Sequence, residues 1–261
     1  MLIFDNFKNF KGINCLTPGR TKVLILSCSS GGGHIKAAQS LCLASRQFNE
    51  LKIYHIDVLK HMSKFFRKVY ADSYINIVSK SPNLYRHLYD MTDHDKDTKV
   101  IMNHMRYFLE NLFTLFLRNQ LKKIKPDCIV FTHFLPAEHF KRTRAKDKYA
   151  KTYAVVITDY DVHWLWVQKH IDLFFVATEE MAIKLISRGI KKEKTYVTGI
   201  PIEPAFSKSY SKLQIKKNLG LKENLKTILF MSGAYGVGKI NVLIDHLMNN
   251  IYTGNDKTCT I

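Results

Sequence analysis

Three glycines and a histidine in succession are the residues best suited to chemistry. Gly31, Gly32 and Gly33 follow the apolar run Val23–Leu26, and His34 begins an alanine-rich helical pattern. A strand, a glycine turn and a helix start predict a site for a phosphate-sized group, or for close backbone approach, at the carboxyl edge of a parallel sheet. An imidazole there indicates proton transfer near neutral pH. The alternative is a tight turn with a capping histidine.

Polar residues also follow later predicted strands. His133 ends the apolar run 129–132, and it is either a second polar group in a cleft or a helix cap. In the loop 158–166, Asp159, Asp161 and His163 would share one side of an extended chain. That pattern only weakly suggests a metal site, because no Cys or Glu completes the set.

The only two tryptophans, Trp164 and Trp166, lie in the same loop. They are expected to line a wall of the cleft or to join the core. Gly199 and Pro201 close the last strand of this part of the chain, and a structural turn is the favoured interpretation there.

A second glycine-rich loop lies near the end of the sequence, at Gly233, Gly236 and Gly238. Together with Lys239 it nearly matches a P-loop, but Ile240 replaces the Ser or Thr that would bind magnesium. The loop therefore predicts binding of a diphosphate without metal-dependent hydrolysis.

Strand-like and helix-like patterns alternate along the chain. The predicted strands are 22–27, 51–57, 127–132, 152–158, 172–177, 195–198 and 227–231, and the predicted helices are 34–48, 62–79, 99–123, 179–188 and 239–249. Short links between them predict an α/β fold with a doubly wound, mostly parallel, Rossmann-like sheet. Sites in such a fold gather at the carboxyl ends of the strands.

The same pattern predicts the domain organisation. We expect an N-terminal extension at 1–20, a Rossmann-like domain at 21–206, a linker with one short helix at 207–225, and the first βα unit of a truncated second domain at 226–261. One βα unit cannot bury a core of its own, so the rest of that domain is expected to be missing or supplied by another chain.

The net charge indicates an anionic partner. The 261 residues carry 40 Lys and Arg against 22 Asp and Glu, a formal charge of +18. No secretory signal and no membrane-spanning run is visible, and five cysteines without a CxxC pair indicate reduced thiols. The mixed basic and apolar segment 62–79 is either an interfacial surface or a helix packed on the sheet. Its cluster is Lys64, Phe65, Phe66, Arg67 and Lys68.

Four segments in order (23–38, 158–166, 172–178 and 198–206) resemble the monogalactosyldiacylglycerol synthase and processive diacylglycerol glucosyltransferase family. The resemblance extends over most of residues 21–250, and a peptidoglycan N-acetylglucosaminyltransferase is a more distant relative. It implies a GT-B arrangement in which a first Rossmann-like domain takes the lipid acceptor and a second binds a UDP-sugar.

The resemblance also implies roles for individual residues. His34 would be the general base that deprotonates the hydroxyl of diacylglycerol, and the sugar would be transferred with inversion. The glycines 31–33 would let substrates approach the backbone. His133, Asp159, Trp164 and Pro201 would contact substrate, Gly233, Gly236 and Gly238 would face the donor diphosphate, and the cluster at 64–68 would dock on anionic lipid.

These expectations define a peripheral enzyme of glycolipid synthesis at the cytoplasmic face of the membrane. Its partners would be diacylglycerol, anionic lipid and a UDP-sugar, with no cofactor, no metal and no nucleic acid. We expect little or no activity from this chain alone. The alternatives are a non-catalytic module that binds anionic lipid and one half of a split enzyme with a separately encoded donor domain. A nucleotide-dependent oxidoreductase is disfavoured because the first turn lacks GxGxxG, and nucleic-acid binding is supported only by charge.

Overall fold

A computed structural model describes residues 20–29, 31–62, 116–138, 140, 149–231, 240–251 and 259–260. The chain divides into two compact units, 1–204 and 205–261. The first unit contains a six-stranded sheet in the order β2-β1-β3-β4-β5-β6, in which every neighbouring pair is parallel. Its strands are β1 (Thr21–Ser27), β2 (Leu51–Asp57), β3 (Cys128–Phe131), β4 (Thr152–Val156), β5 (Leu173–Val176) and β6 (Thr195–Val197).

Helices connect these strands. They are α1 (Gly32–Ala44), the helical residues 116–124 and 134–138, and α2 (Glu179–Ser187), with 3-10 turns at Ser45–Gln47, Val58–His61, Trp164–Trp166 and Lys192–Lys194. A further 3-10 turn spans Pro204–Ser207. The second unit contains α3 (Lys212–Asn218), β7 (Lys226–Thr227), α4 (Ile240–Ile251) and β8 (Cys259–Thr260).

The sheet is buried on both faces. Every residue of β3, β4 and β5 is buried, and alternate side chains enter two separate apolar clusters. On one face Val23 and Ile25 pack with Ala38 and Leu41 of α1. The other face, with Leu24 and Leu26, is covered by the helical residues 116–124 and by α2. The predicted doubly wound parallel sheet is confirmed.

The strand order predicts a ligand crevice beside β1. The chain leaves β1 toward β2 on one side and returns as β3 on the other side. Connections that depart in opposite directions separate at the carboxyl ends of β1 and β3, which is the usual place for a ligand in an open α/β sheet.

Element boundaries differ from the predictions in the second unit. The predicted strand 227–231 is a strand only at Lys226–Thr227, and Leu229 and Met231 are 78% and 80% exposed. Cys259–Thr260, for which no strand was predicted, pair in parallel with β7. These two residues form a strand because their backbone pairs with β7, which is distant in sequence, and local periodicity does not show such pairing. Predicted helix 62–79 lies outside the described residues, except Met62.

In the first unit the predicted helix 34–48 begins earlier and ends earlier, as Gly32–Ala44. The Ser45 hydroxyl donates to the Cys42 carbonyl at 2.8 Å, a local bond that competes with continued α-helix. Cys28, Cys42 and Cys128 are not joined in disulfide bonds. Within the described ranges, no helix has the length and apolarity needed to cross a membrane.

Candidate active site

His34 is held through one ring nitrogen. Its Nδ1 lies 2.9 Å from the Thr132 carbonyl oxygen and 2.7 Å from the Thr158 hydroxyl oxygen. A carbonyl oxygen only accepts, so Nδ1 carries the proton and Nε2 carries the lone pair. The Thr132 hydroxyl donates in return to the His34 carbonyl at 2.9 Å. The contacts therefore set the tautomer that leaves Nε2 as the basic nitrogen.

These contacts join the ends of three adjacent strands. His34 follows β1, Thr132 follows β3, and Thr158 follows β4. Because neighbouring parallel strands end at the same edge of the sheet, residues far apart in sequence meet beside the crevice between β1 and β3. Placement at the carboxyl edge agrees with the expectation for His34.

Two opposing effects act on the basicity of His34. Burial lowers its pKa below the ordinary value of 6.5, while the charge of Asp159 and the hydrogen bond to Thr132 raise it. The lowering dominates, so the imidazole is neutral at pH 7. A neutral imidazole with a lone pair on Nε2 can accept a proton, as a general base requires.

His133 lies directly beside this ring. The two imidazoles meet edge to face with ring centroids 4.5 Å apart. His133 Nδ1 accepts from the Leu135 N–H at 3.0 Å, so it caps the helical residues 134–138, as the structural alternative expected. Burial, with the neighbouring His34, lowers its pKa well below 6.5. At 2% exposure it presents little surface to a ligand, and its contact with substrate stays a prediction.

The polar residues of the loop after β4 take separate partners. Asp159 Oδ2 accepts from Trp166 Nε1 at 2.8 Å, Asp161 Oδ1 accepts from Lys184 Nζ at 2.6 Å, and His163 Nδ1 accepts from the Leu165 N–H at 3.1 Å. Among the residues that the structure describes, no three His, Cys, Asp or Glu are grouped to hold a metal ion. The weakly suggested metal site is not formed by these residues.

The two tryptophans separate into different environments. Trp166 is 1% exposed and belongs to the core. Trp164 is half-buried, with the Arg188 guanidinium 4.7 Å from its ring centroid, which is a cation–π distance. Its contact with substrate stays a prediction.

The glycine turn opens onto the N-terminus of α1. Gly31 is the N-cap with an extended φ of −159°, no side chain caps the helix, and the first turn contains no acidic residue. A Cβ on Gly33 would meet no heavy atom within 4 Å, and one on Gly31 would lie 3.7 Å from His34 Cδ2, an ordinary contact. Packing within the described chain therefore does not require glycine here. The open backbone and the positive end of the helix dipole suit an anionic or closely approaching ligand.

The segment after β6 returns to α1. Gly199 has a φ of +77°, a conformation that favours glycine, and the chain then passes through Pro201, which is half-buried. Glu203 Oε1 pairs with Lys36 Nζ at 3.0 Å. Because Lys36 lies two residues after His34, this ion pair holds the Pro201 segment near the candidate base. Its contact with substrate stays a prediction.

Two predicted groups lie outside the described residues. They are the donor-loop glycines Gly233, Gly236 and Gly238, and the membrane-surface cluster Lys64, Phe65, Phe66, Arg67 and Lys68.

Sequence reasoning missed the roles of Thr132 and Thr158. Each is the polar residue that follows a fully buried parallel strand. That position is a usable signal, because strand carboxyl ends gather at one edge. The hydrogen bond between Asp159 and Trp166 has no comparable signal in the sequence.

Comparison with known proteins agrees with the family resemblance seen in the sequence. The model of the monogalactosyldiacylglycerol (MGDG) synthase family matches residues 34–202. A processive diacylglycerol beta-glucosyltransferase from Staphylococcus epidermidis is 28% identical over 235 residues, 88% of this chain and 56% of that protein. An uncharacterized glycosyltransferase, YkoN, from Bacillus subtilis is 32% identical over 82% of this chain and 54% of its own length.

This chain thus spans about half the length of the curated relatives that it matches. Among solved structures, UDP-GlcNAc 2-epimerase from Neisseria meningitidis covers 89% of this chain with 64% of its own, at 14% identity and a TM-score of 0.48.

Proposed function

Because this chain belongs to the monogalactosyldiacylglycerol synthase family, we propose that it acts in glycolipid synthesis by transferring a hexose from a UDP-sugar to diacylglycerol. The proposal rests on the fixed orientation of the His34 imidazole, whose Nδ1 contacts Thr132 and Thr158 at 2.9 and 2.7 Å. That arrangement leaves the lone pair of a neutral imidazole on Nε2, at the carboxyl edge of the sheet where an acceptor hydroxyl would bind.

In the proposed reaction, Nε2 of His34 takes the proton from the acceptor hydroxyl. The oxygen attacks the anomeric carbon from the side opposite UDP. The new carbon–oxygen bond forms as the bond to the phosphate oxygen breaks, and UDP leaves with that electron pair. One displacement of this kind inverts the anomeric configuration. The UDP-sugar is a co-substrate, and the reaction as proposed uses no cofactor and no metal.

The turn and the predicted donor loop would serve the substrates. The glycines 31–33 would let acceptor and donor approach the backbone, and the N-terminus of α1 favours negative charge beside it. The glycines at 233, 236 and 238 would face the donor diphosphate. A membrane-dissolved acceptor requires the protein to work at the lipid surface, so we also propose a peripheral position at the cytoplasmic face.

A turnover assay tests the base assignment. The chain is incubated with radiolabelled UDP-glucose or UDP-galactose and vesicles that contain diacylglycerol, and labelled glycolipid is measured at a sensitivity that detects slow turnover. Positioned general-base catalysis contributes about 10²–10⁴-fold, so His34→Ala is expected to lower the rate by that order. His246→Ala, at an exposed histidine of α4, is the matched control and should retain the wild-type rate.

Equal rates for His34→Ala and the wild type would contradict the role of His34. No glycolipid from the wild-type chain would contradict transfer by this chain alone, and it is the result expected of one half of a split enzyme. If such a chain still bound the diacylglycerol vesicles saturably, the result would favour a lipid-binding module.

A further inference from the structure

The carboxylate of Asp159 is anchored by Trp166, whose ring lies near the candidate base. Asp159 directly follows Thr158, whose hydroxyl contacts His34 Nδ1, and its Oδ2 accepts from Trp166 Nε1 at 2.8 Å. The Trp166 ring is 1% exposed, and its centroid lies 6.3 Å from that of His34. A buried indole therefore fixes the position of a charged group at the edge of the site.

A protonated His34 needs such a charge. An imidazolium in a buried site loses hydration, and an opposite charge nearby offsets that cost. Among the described residues, the titratable groups that interact with the ring are Asp159, from the loop after β4, and His133, from the segment after β3. Burial keeps His133 neutral, whereas the charge of Asp159 raises the pKa of His34.

The charge of Asp159 does not protonate His34 in the free protein, because burial has the larger effect on the pKa of His34. Both contacts on Nδ1 are made by Thr132 and Thr158, so the carboxylate acts through its field and not through a hydrogen bond to the ring. Asp159 is exposed, so water screens this field in the free protein. Substrate in the crevice would displace that water and strengthen the interaction when the proton arrives.

We propose that Asp159, held by the indole N–H of Trp166, is a positioning residue that stabilises the protonated form of His34 during proton transfer. In this proposal Asp159 acts on the base, His34. The sequence had suggested instead that Asp159 contacts substrate or binds a metal ion. The inference rests on the proposed function for the use of His34 as a base, but its electrostatic part can be measured without turnover.

The first measurement is the pKa of His34, obtained by NMR titration of its ring proton in the full chain. Asp159→Asn keeps an oxygen acceptor for Trp166 and removes the charge, so the pKa of His34 should fall. Asp161→Asn is the matched control, because it removes a charge from the same loop at a residue paired with Lys184. That control should leave the pKa unchanged.

Trp166→Phe, which frees the carboxylate, should lower the pKa of His34 in the same direction as Asp159→Asn. Asp159→Ser provides a second uncharged variant if the Asn variant does not fold. An unchanged pKa in a folded Asp159 variant, or an equal fall in Asp161→Asn, would overturn the proposal.

The second measurement is the pH profile of glycolipid formation. Asp159→Asn should lower the plateau rate and move the acid limb to lower pH, because the imidazolium is less stable. A purely structural loss would lower the rate without moving the limb, and that result would overturn the proposal. If the wild type makes no glycolipid, the proposed function fails, and the NMR comparison still decides whether Asp159 acts on His34.

Discussion

At the residue scale, His133 shows how a buried histidine supports a neighbouring one. His133 directly follows Thr132, whereas His34 lies 98 residues from Thr132, yet the two imidazole rings pack edge to face. Its Nδ1 is committed to the Leu135 N–H, so its role as a cap also fixes its ring. Both histidines have pKa values lowered mainly by burial. The site is therefore sensitive to acid.

This predicts a loss of stability at acidic pH. Since the folded pKa values lie below 6.5, the unfolded chain binds more protons between the folded pKa and 6.5. The free energy of unfolding should fall as pH drops below about 6.5, and above that pH these groups add no further pH dependence. His133→Asn, which can still cap but does not titrate, should flatten the dependence of Tm on pH. His246→Asn should retain the wild-type slope, and an equally steep slope in His133→Asn would contradict the explanation.

At the element scale, both ends of α2 are capped by local hydrogen bonds, and one face of the helix is buried. The Thr178 hydroxyl accepts from the Met181 N–H at 3.4 Å, and two acidic residues occupy the first turn. After the last turn, Gly189 has a φ of +89° and the Ile190 N–H reaches the Leu185 carbonyl at 3.1 Å, a Schellman-type end. The buried side chains of the helix join the cluster beneath the loop after β4.

The helix allows a matched test of burial. Leu185 is fully buried, whereas Ile183 on the same helix is 66% exposed. Leu185→Ala should lower the free energy of unfolding by about 2–5 kcal/mol, because it removes buried methyl groups and leaves a cavity. Ile183→Ala should change it by about 0.5 kcal/mol or less. Urea unfolding measures both, and similar losses would show that α2 does not pack as described.

At the scale of the whole molecule, the charge of +18 is the property most relevant to the proposed membrane surface. Each cation close to an anionic leaflet contributes about 1 kcal/mol of binding, and the contribution falls off within a Debye length. The proposed cluster at 64–68 combines three cations with two phenylalanines. Local insertion of aromatic groups and diffuse attraction of the whole surface can therefore be distinguished by experiment.

Sedimentation with vesicles of phosphatidylglycerol and phosphatidylcholine makes that distinction. Binding should weaken between about 0.1 M and 1 M salt. Replacing Lys64, Arg67 and Lys68 by Gln should weaken it on the order of a hundredfold, since about 3 kcal/mol is removed. The triple replacement of the exposed residues Lys191, Lys192 and Lys208 by Gln removes the same charge and should have a smaller effect. Equal losses would indicate that only the total charge matters.

The sequence alone determined the local elements of the first unit. The central strands β3, β4 and β5 are short, largely apolar runs, and burial on both faces requires such runs, so their positions could be predicted within a residue or two. The glycine turn before His34 could also be predicted, because glycine spacing and the start of a helix are local features of the sequence. The family resemblance also depends on such local motifs, and the match to residues 34–202 confirms it.

Only the tertiary structure decided which strand ends meet. The order β2-β1-β3-β4-β5-β6 brings Thr132 and Thr158, which are 98 and 124 residues from His34 in sequence, to the same ring nitrogen. It also places the Trp166 indole on the Asp159 carboxylate. Periodicity reports which face of an element is buried, but not which element lies next to it. The tautomer and basicity of His34 depend on those neighbours, so they follow from long-range packing.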